Sequence, residues 1–89
     1  MSETADTRLK RLRIRSWRRG IREMDLALGG FADRRLAELG AEDLDLFEAL
    51  LDENDHDIYA WIAGRVTPPA RFEALLKEIG GGVILGLPR

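Results

Sequence analysis

The sequence predicts an all-α protein, a small five-helix bundle in a single domain. Apolar residues recur at spacings of three and four through most of the chain, which is the period of an amphipathic helix. Glycines and short polar stretches separate these periodic segments. The length of 89 residues allows one domain at most, with a core only a few side chains deep.

The first helix is predicted in an arginine-rich segment near the start of the chain. Residues 1–7 are expected to be a disordered N-terminus, and the helical domain is expected to span residues 8–79. Segment 8–17 is ambiguous: Leu12 and Ile14 alternate with arginines as in a strand, whereas Ile14 and Trp17 have helical spacing. We favour a helix, because nothing else in the chain offers a strand to pair with it.

A second helix is predicted after Gly20, over residues 21–39. Its apolar residues fall on a single face, namely Ile21, Met24, Leu28 and Phe31. Gly29 and Gly30 lie inside this segment, where each glycine costs about 1 kcal/mol relative to alanine. The pair therefore indicates a bend or a close contact with another helix. Gly40 is expected to end the segment as a left-handed cap.

The third and fourth helices are predicted on either side of a polar break at residues 52–55. Acidic residues follow Gly40, where the dipole of a new helix favours negative charge. The buried stripe of this third helix is Leu44, Phe47, Leu50 and Leu51. Asn54 or Asp55 is expected to cap the fourth helix, and Gly64 is expected to end it.

The fifth helix has the clearest amphipathic pattern in the chain. Thr67 followed by Pro68 predicts its start, because a hydroxyl cap and a proline in the first turn both favour a helix N-terminus. Its apolar face consists of Phe72, Leu75, Leu76 and Ile79. Three glycines from Gly80 are expected to stop it, and residues 80–89 are expected to form a flexible, apolar C-terminal tail.

Charge is distributed unevenly along the chain. Residues 1–22 hold eight basic and two acidic residues, a net charge of +6, whereas the remaining 67 residues carry −8. A helical module with a basic end suggests nucleic acid as a partner. The alternative is that the basic and acidic parts attract each other within the chain.

Several functional classes find little support in the composition. Cysteine is absent, and the single histidine, His56, lies among acidic residues whose spacing matches no EF-hand. We therefore expect no metal site, no bound cofactor and no catalytic residues, so the protein is predicted not to be an enzyme. The apolar runs are too short to span a membrane, and the acidic residues near Met1 resemble no presequence. A bacterial cytoplasmic location is expected, with a mitochondrial matrix location less favoured.

Residues 15–25 form the most unusual stretch of the sequence. Four arginines within eight residues surround Gly20, which can adopt a positive φ or allow another backbone to approach closely. Arg19 and Arg22 carry planar guanidinium groups suited to carboxylate or phosphate. Glu23 and Asp25 could hold these groups in place or present acids of their own. The alternative is an ordinary turn between helices with solvated charges.

Two blocks of the sequence resemble the succinate dehydrogenase assembly factor family, also called flavinators, whose hallmark is an Arg-Gly-x-x-Glu core. The first block reads Arg15-Ser16-Trp17-x-Arg19-Gly20-x-Arg22-Glu23-x-Asp25-Leu26. The second contains Phe47-Glu48-x-Leu50-Leu51 and Glu53-x-Asp55-x-Asp57-Ile58-Tyr59-x-Trp61-Ile62. His56 stands where the family often has proline, which puts the rigidity of that turn in doubt.

The resemblance implies a five-helix assembly factor that binds the flavoprotein subunit of succinate dehydrogenase, or of fumarate reductase. Such a factor promotes covalent attachment of FAD to that subunit and holds no FAD itself, and the free protein is expected to be a monomer. The family's functional surface corresponds here to Arg15, Trp17, Arg19, Gly20, Arg22, Glu23 and Asp25. Arg19 is expected to pair with an acidic or carbonyl group of the partner, whereas Trp17 could belong either to the core or to the interface. Asp55, Asp57 and Trp61 are expected to be structural.

Overall fold

The computed structural model describes residues 3–81, and every regular element within them is helical. Five α-helices follow in order: α1 Ala5–Trp17, α2 Arg22–Arg35, α3 Ala41–Leu51, α4 Asp55–Ile62 and α5 Glu73–Gly81. Short 3-10 turns follow α2 at Leu36–Glu38 and precede α5 at Ala70–Phe72. The predicted five-helix bundle is confirmed. Of the expected tail at 80–89, residues 82–89 lie outside the described part of the chain.

Helix α1 begins at Ala5, three residues before the expected start of the helical domain. Thr4 caps it, because its Oγ1 accepts a hydrogen bond from the Thr7 amide at 3.1 Å. The helical register buries Leu12 and Ser16 fully and leaves Ile14 47% exposed. The strand-like alternation in this segment is therefore incidental, and the helix prediction is confirmed.

The end of α2 differs from the prediction. The α-helix stops at Arg35, and a 3-10 turn carries the chain to Leu39, whose amide donates to the Leu36 carbonyl at 3.2 Å. Gly40 has φ −72° and ψ 172°, an extended conformation directly before α3. The predicted left-handed cap at Gly40 is wrong, because the 3-10 turn has already ended the helix.

The start of α5 was predicted too early. Thr67 and Pro68 precede the helix, and regular structure begins with the 3-10 turn at Ala70. A proline disfavours the helical conformation in the residue before it, so Pro69 keeps Pro68 out of the helix.

The boundaries of α4 were predicted correctly. The Asn54 side chain accepts from the His56 amide at 2.8 Å, and Gly64 ends the helix with φ +77°. A proline at position 56 could not donate that capping bond. The turn is therefore held by hydrogen bonding where the family often has proline.

One hydrophobic core joins all five helices of the described chain. Its largest members are Phe31, Phe47 and Phe72, and the rings of Phe31 and Phe47 lie 5.4 Å apart. Within residues 3–81, no helix is both long and apolar enough to cross a membrane. Because each helix contributes to one core, the turns between helices lie at the surface, and the turn between α1 and α2 carries the predicted site.

Candidate functional site

The turn between α1 and α2 presents a glycine to solvent. Gly20 has φ +91°, a conformation that side-chain-bearing residues rarely adopt. A Cβ atom added at Gly20 would meet nothing within 4 Å. The positive φ predicted from the sequence is confirmed, and the backbone here is open to approach by another molecule.

Arg19 lies beneath this turn, with its side chain only 10% exposed. Its Nε donates to the Asp55 carboxylate at 2.7 Å, and its two terminal nitrogens donate to the backbone carbonyls of Leu51 at 2.7 Å and Glu53 at 3.1 Å. The Arg19 amide donates to the Asp25 carboxylate at 2.7 Å. The guanidinium group thus connects the α1–α2 turn to the end of α3 and the start of α4.

This geometry changes the interpretation of Arg19. The sequence suggested that Arg19 offers its donors to a partner, but each guanidinium nitrogen makes a hydrogen bond within the chain. Arg19 also precedes α2, whereas Glu23 lies in the first turn of that helix. The two residues therefore do not form the neighbouring pair that a continuous helix would give.

Trp17 packs against α2 and remains partly exposed. Its indole ring lies directly on Gly29 of α2, where an added Cβ would overlap the ring. Its Nε1 donates to the Asp33 carboxylate at 3.3 Å, yet the residue remains 38% exposed. The close helix contact predicted for the glycine pair is confirmed, and Trp17 packs against α2 while presenting part of its surface.

Of the other predicted site residues near the turn, one forms an ion pair within the chain and two are exposed. Arg15 pairs with Asp52 at 2.8 Å, and Arg22 and Glu23 are exposed at the start of α2. Glu23 also lines a shallow depression together with Ile21, His56 and Tyr59. His56 and Tyr59 were not predicted as site residues. Both lie within the second family-like block, which the fold brings against the first.

The arginines of α1 that face α3 are paired with its acidic residues. Arg8 contacts Asp45 at 2.7 Å and Glu48 at 3.0 Å, and Arg11 contacts Glu48 at 2.9 Å. Hydrogen bonds from Arg11 and from Arg8 hold the pKa of Glu48 below its ordinary value. The basic segment thus packs against acidic residues of the same chain, in accord with the expectation of internal attraction.

Together, the helical fold and this turn define a small helical module, in which a largely enclosed arginine supports an exposed glycine turn. A family model described as the flavinator of succinate dehydrogenase matches residues 10–81, and the chain belongs to that family. The resemblance in the two sequence blocks is confirmed.

Proteins named succinate dehydrogenase assembly factor 2, mitochondrial, are similar to this chain. The protein from Candida glabrata is 45% identical over 62 residues, which cover 70% of this chain and 40% of the relative. The protein from Mycosarcoma maydis is 42% identical over 79 residues, covering 89% of this chain and 33% of the relative. The protein from Saccharomyces cerevisiae is 43% identical over 60 residues, which cover 67% of this chain and 37% of the relative. No solved structure matches the chain.

The comparisons correct the expected location. These relatives are named as mitochondrial, which contradicts the expectation of a bacterial cytoplasmic protein. That expectation rested on the acidic residues near Met1. The chain spans 33–40% of the length of the first two curated relatives.

Proposed function

We propose that this chain binds the flavoprotein subunit of succinate dehydrogenase and promotes covalent attachment of FAD to that subunit. The match of residues 10–81 to the flavinator family carries the proposal. The names of the relatives support the same role, because each is called an assembly factor of succinate dehydrogenase. The alternative partner is the flavoprotein subunit of fumarate reductase.

The proposed binding surface is centred on Gly20. Its open backbone allows close approach, and the exposed edge of Trp17 offers an apolar contact beside it. Arg22 and Glu23 supply charged groups of both signs on the α2 side of the turn. Arg15, Arg19 and Asp25 complete the set of seven residues, with Arg19 and Asp25 supporting the turn from within the chain.

We infer a role in positioning rather than in catalysis. The chain has no cysteine and a single histidine, His56. A factor that holds the flavoprotein in a competent conformation can accelerate attachment, because orientation alone lowers a reaction barrier substantially. In this proposal FAD belongs to the partner, and the free factor is a monomer.

A role in nucleic-acid binding is not supported. Arg8, Arg11, Arg15 and Arg19 each pair with a carboxylate of this chain. Phosphate would have to displace these carboxylates before the same guanidinium groups could bind it. The pairing therefore favours the protein-binding role.

The proposal is tested in cells that lack their own assembly factor. The chain is directed to the compartment that holds the flavoprotein subunit, and covalent flavin is measured on that subunit after denaturing electrophoresis. We expect the chain to restore covalent flavin, whereas an empty vector does not. Absence of covalent flavin despite a normal level of both proteins would overturn the proposal.

A further inference from the structure

The side chain of Arg19 reaches across the molecule instead of towards solvent. Asp55, which accepts from its Nε, is also largely enclosed, with the Arg19 and Asp55 side chains 10% and 16% exposed. The acceptors at Leu51, Glu53 and Asp55 lie 32–36 residues further along the chain. Charge-assisted hydrogen bonds of an enclosed arginine stabilise the local structure more than an exposed ion pair does, because water and salt weaken the exposed pair.

The turn is also held from its other side. The Asp25 carboxylate in the first turn of α2 accepts from the Arg19 amide at 2.7 Å. Arg19 is therefore fixed to α2 through its backbone and to the α3–α4 turn through its side chain. Gly20, with φ +91°, is the next residue in the chain. Because Arg19 is held on both sides, its contacts restrict the conformation of this turn.

We propose that Arg19 and Asp55 act as a positioning pair that fixes the Gly20 turn in the shape recognised by the flavoprotein, without Arg19 contacting that partner. This inference rests on the proposed function. Arginine suits the role because its planar group donates to a carboxylate and to two carbonyls in different directions. A lysine at this position has one ammonium group and cannot reach all three acceptors in the same geometry.

If Arg19 contacts the partner directly, Asp55→Asn should affect binding differently than if Arg19 only positions the turn. If Arg19 binds the partner itself, Asp55→Asn removes the charged group of this chain that competes for the guanidinium group, and affinity stays unchanged or increases. If the two residues position the turn, Asp55→Asn and Arg19→Gln both weaken binding. The double variant should then be little worse than Arg19→Gln alone, because that change already removes the hydrogen bond to Asp55 together with those to Leu51 and Glu53.

The experiment measures the affinity of the purified chain and its variants for the purified succinate dehydrogenase flavoprotein subunit, well below each melting temperature. We expect Arg19→Gln and Asp55→Asn each to weaken binding about tenfold, because residues that do not contact a ligand can still change its affinity by this amount when they hold the binding surface in place. The affinity of the double variant should lie within about threefold of the affinity of the weaker-binding single variant. We expect Arg19→Lys not to restore affinity. Unchanged or tighter binding by Asp55→Asn would overturn the proposal.

Leu75→Ala is the control that shows whether a general loss of stability is enough to weaken binding. Leu75 is a core residue of α5 with 6% exposure, and its truncation lowers the melting temperature through a cavity. We expect this variant to lose several degrees of melting temperature while its affinity stays within about threefold of the wild type. If Leu75→Ala weakens binding as much as Asp55→Asn does, stability alone explains the effect and the proposal fails.

Hydrogen exchange in the free chain provides the second readout. Arg19→Gln and Asp55→Asn should speed exchange of the Arg19, Met24 and Asp25 amides, which donate hydrogen bonds at this turn, and Leu75→Ala should not do so selectively. Unchanged exchange in this turn would overturn the positioning role. If the wild-type chain fails to bind the flavoprotein subunit, the proposed function fails, while the exchange measurement still decides whether the pair fixes the turn.

Discussion

Gly29 allows the indole ring of Trp17 to lie directly on α2. A side chain at this position would occupy the space of the ring, so the contact requires the absence of a Cβ atom. The adjacent Gly30 is not constrained in this way, since an added Cβ there would meet only the Arg34 side chain at 3.7 Å. Within one pair of glycines, the first is required by packing and the second is not.

We predict opposite effects of alanine at these two positions. Gly29→Ala should destabilise the protein by about 1–2 kcal/mol, because overpacking at the Trp17 ring outweighs the gain in helix propensity. Gly30→Ala should stabilise it by up to about 1 kcal/mol through helix propensity alone. Urea unfolding followed by circular dichroism measures both values. Equal stabilities of the two variants would contradict the assigned role of Gly29.

The site was predictable from the sequence only where its signals are local. The positive φ of Gly20 and the close contact at Gly29 follow from glycine's own chemistry. The enclosure of Arg19 could not be predicted, because its acceptors at Leu51, Glu53 and Asp55 are far along the chain. A run of arginines looks the same in a sequence whether its members are exposed or buried.

At the scale of elements, helix existence was predictable and helix ends were less so. The apolar periodicity identified all five helices, since it reflects burial against one core. A helix boundary that depends on one capping side chain, such as the start of α4 at Asn54, was also predictable from the sequence. Boundaries set by competing local geometry were not: Pro69 delays α5, and a 3-10 turn ends α2 before Gly40.

The contact between α1 and α3 depends on ion pairs around Glu48. Its carboxylate accepts from Arg8 and Arg11, and these bonds lower its pKa. A carboxyl group with a lowered folded-state pKa stabilises the fold above the unfolded-state pKa, about 4.3 for glutamate. That contribution is lost as the pH falls through the folded-state pKa.

We predict that the stabilising effect of Glu48 depends on pH. The wild type should melt at a higher temperature than Glu48→Gln near pH 7, and this difference should shrink as the pH falls below about 4. Asp45→Asn is the matched control, because Asp45 binds the same Arg8 but is 71% exposed. It should have a smaller effect near pH 7. A difference for Glu48→Gln that stays constant from pH 7 to pH 3 would contradict the ionic role of Glu48.

At the scale of the whole molecule, the uneven charge of the sequence organises the fold. The basic first segment contacts acidic residues of α3, of the α3–α4 turn and of the start of α4, namely Glu48, Asp52 and Asp55. One end of α1 then leads into the Gly20 turn, which remains open to solvent. The ion pairs therefore support the architecture, and we propose that the turn recognises the partner.

The most direct test measures binding of the isolated flavoprotein subunit to the wild type, Gly20→Arg and Gly64→Arg. Both glycines have positive φ and open surroundings, with φ +91° at Gly20 and +77° at Gly64, so both substitutions carry a similar backbone strain of about 1–2 kcal/mol. We expect similar melting temperatures for the two variants, loss of binding by Gly20→Arg, and near-normal binding by Gly64→Arg. Normal binding by a folded Gly20→Arg variant would contradict the central claim that this turn binds the flavoprotein.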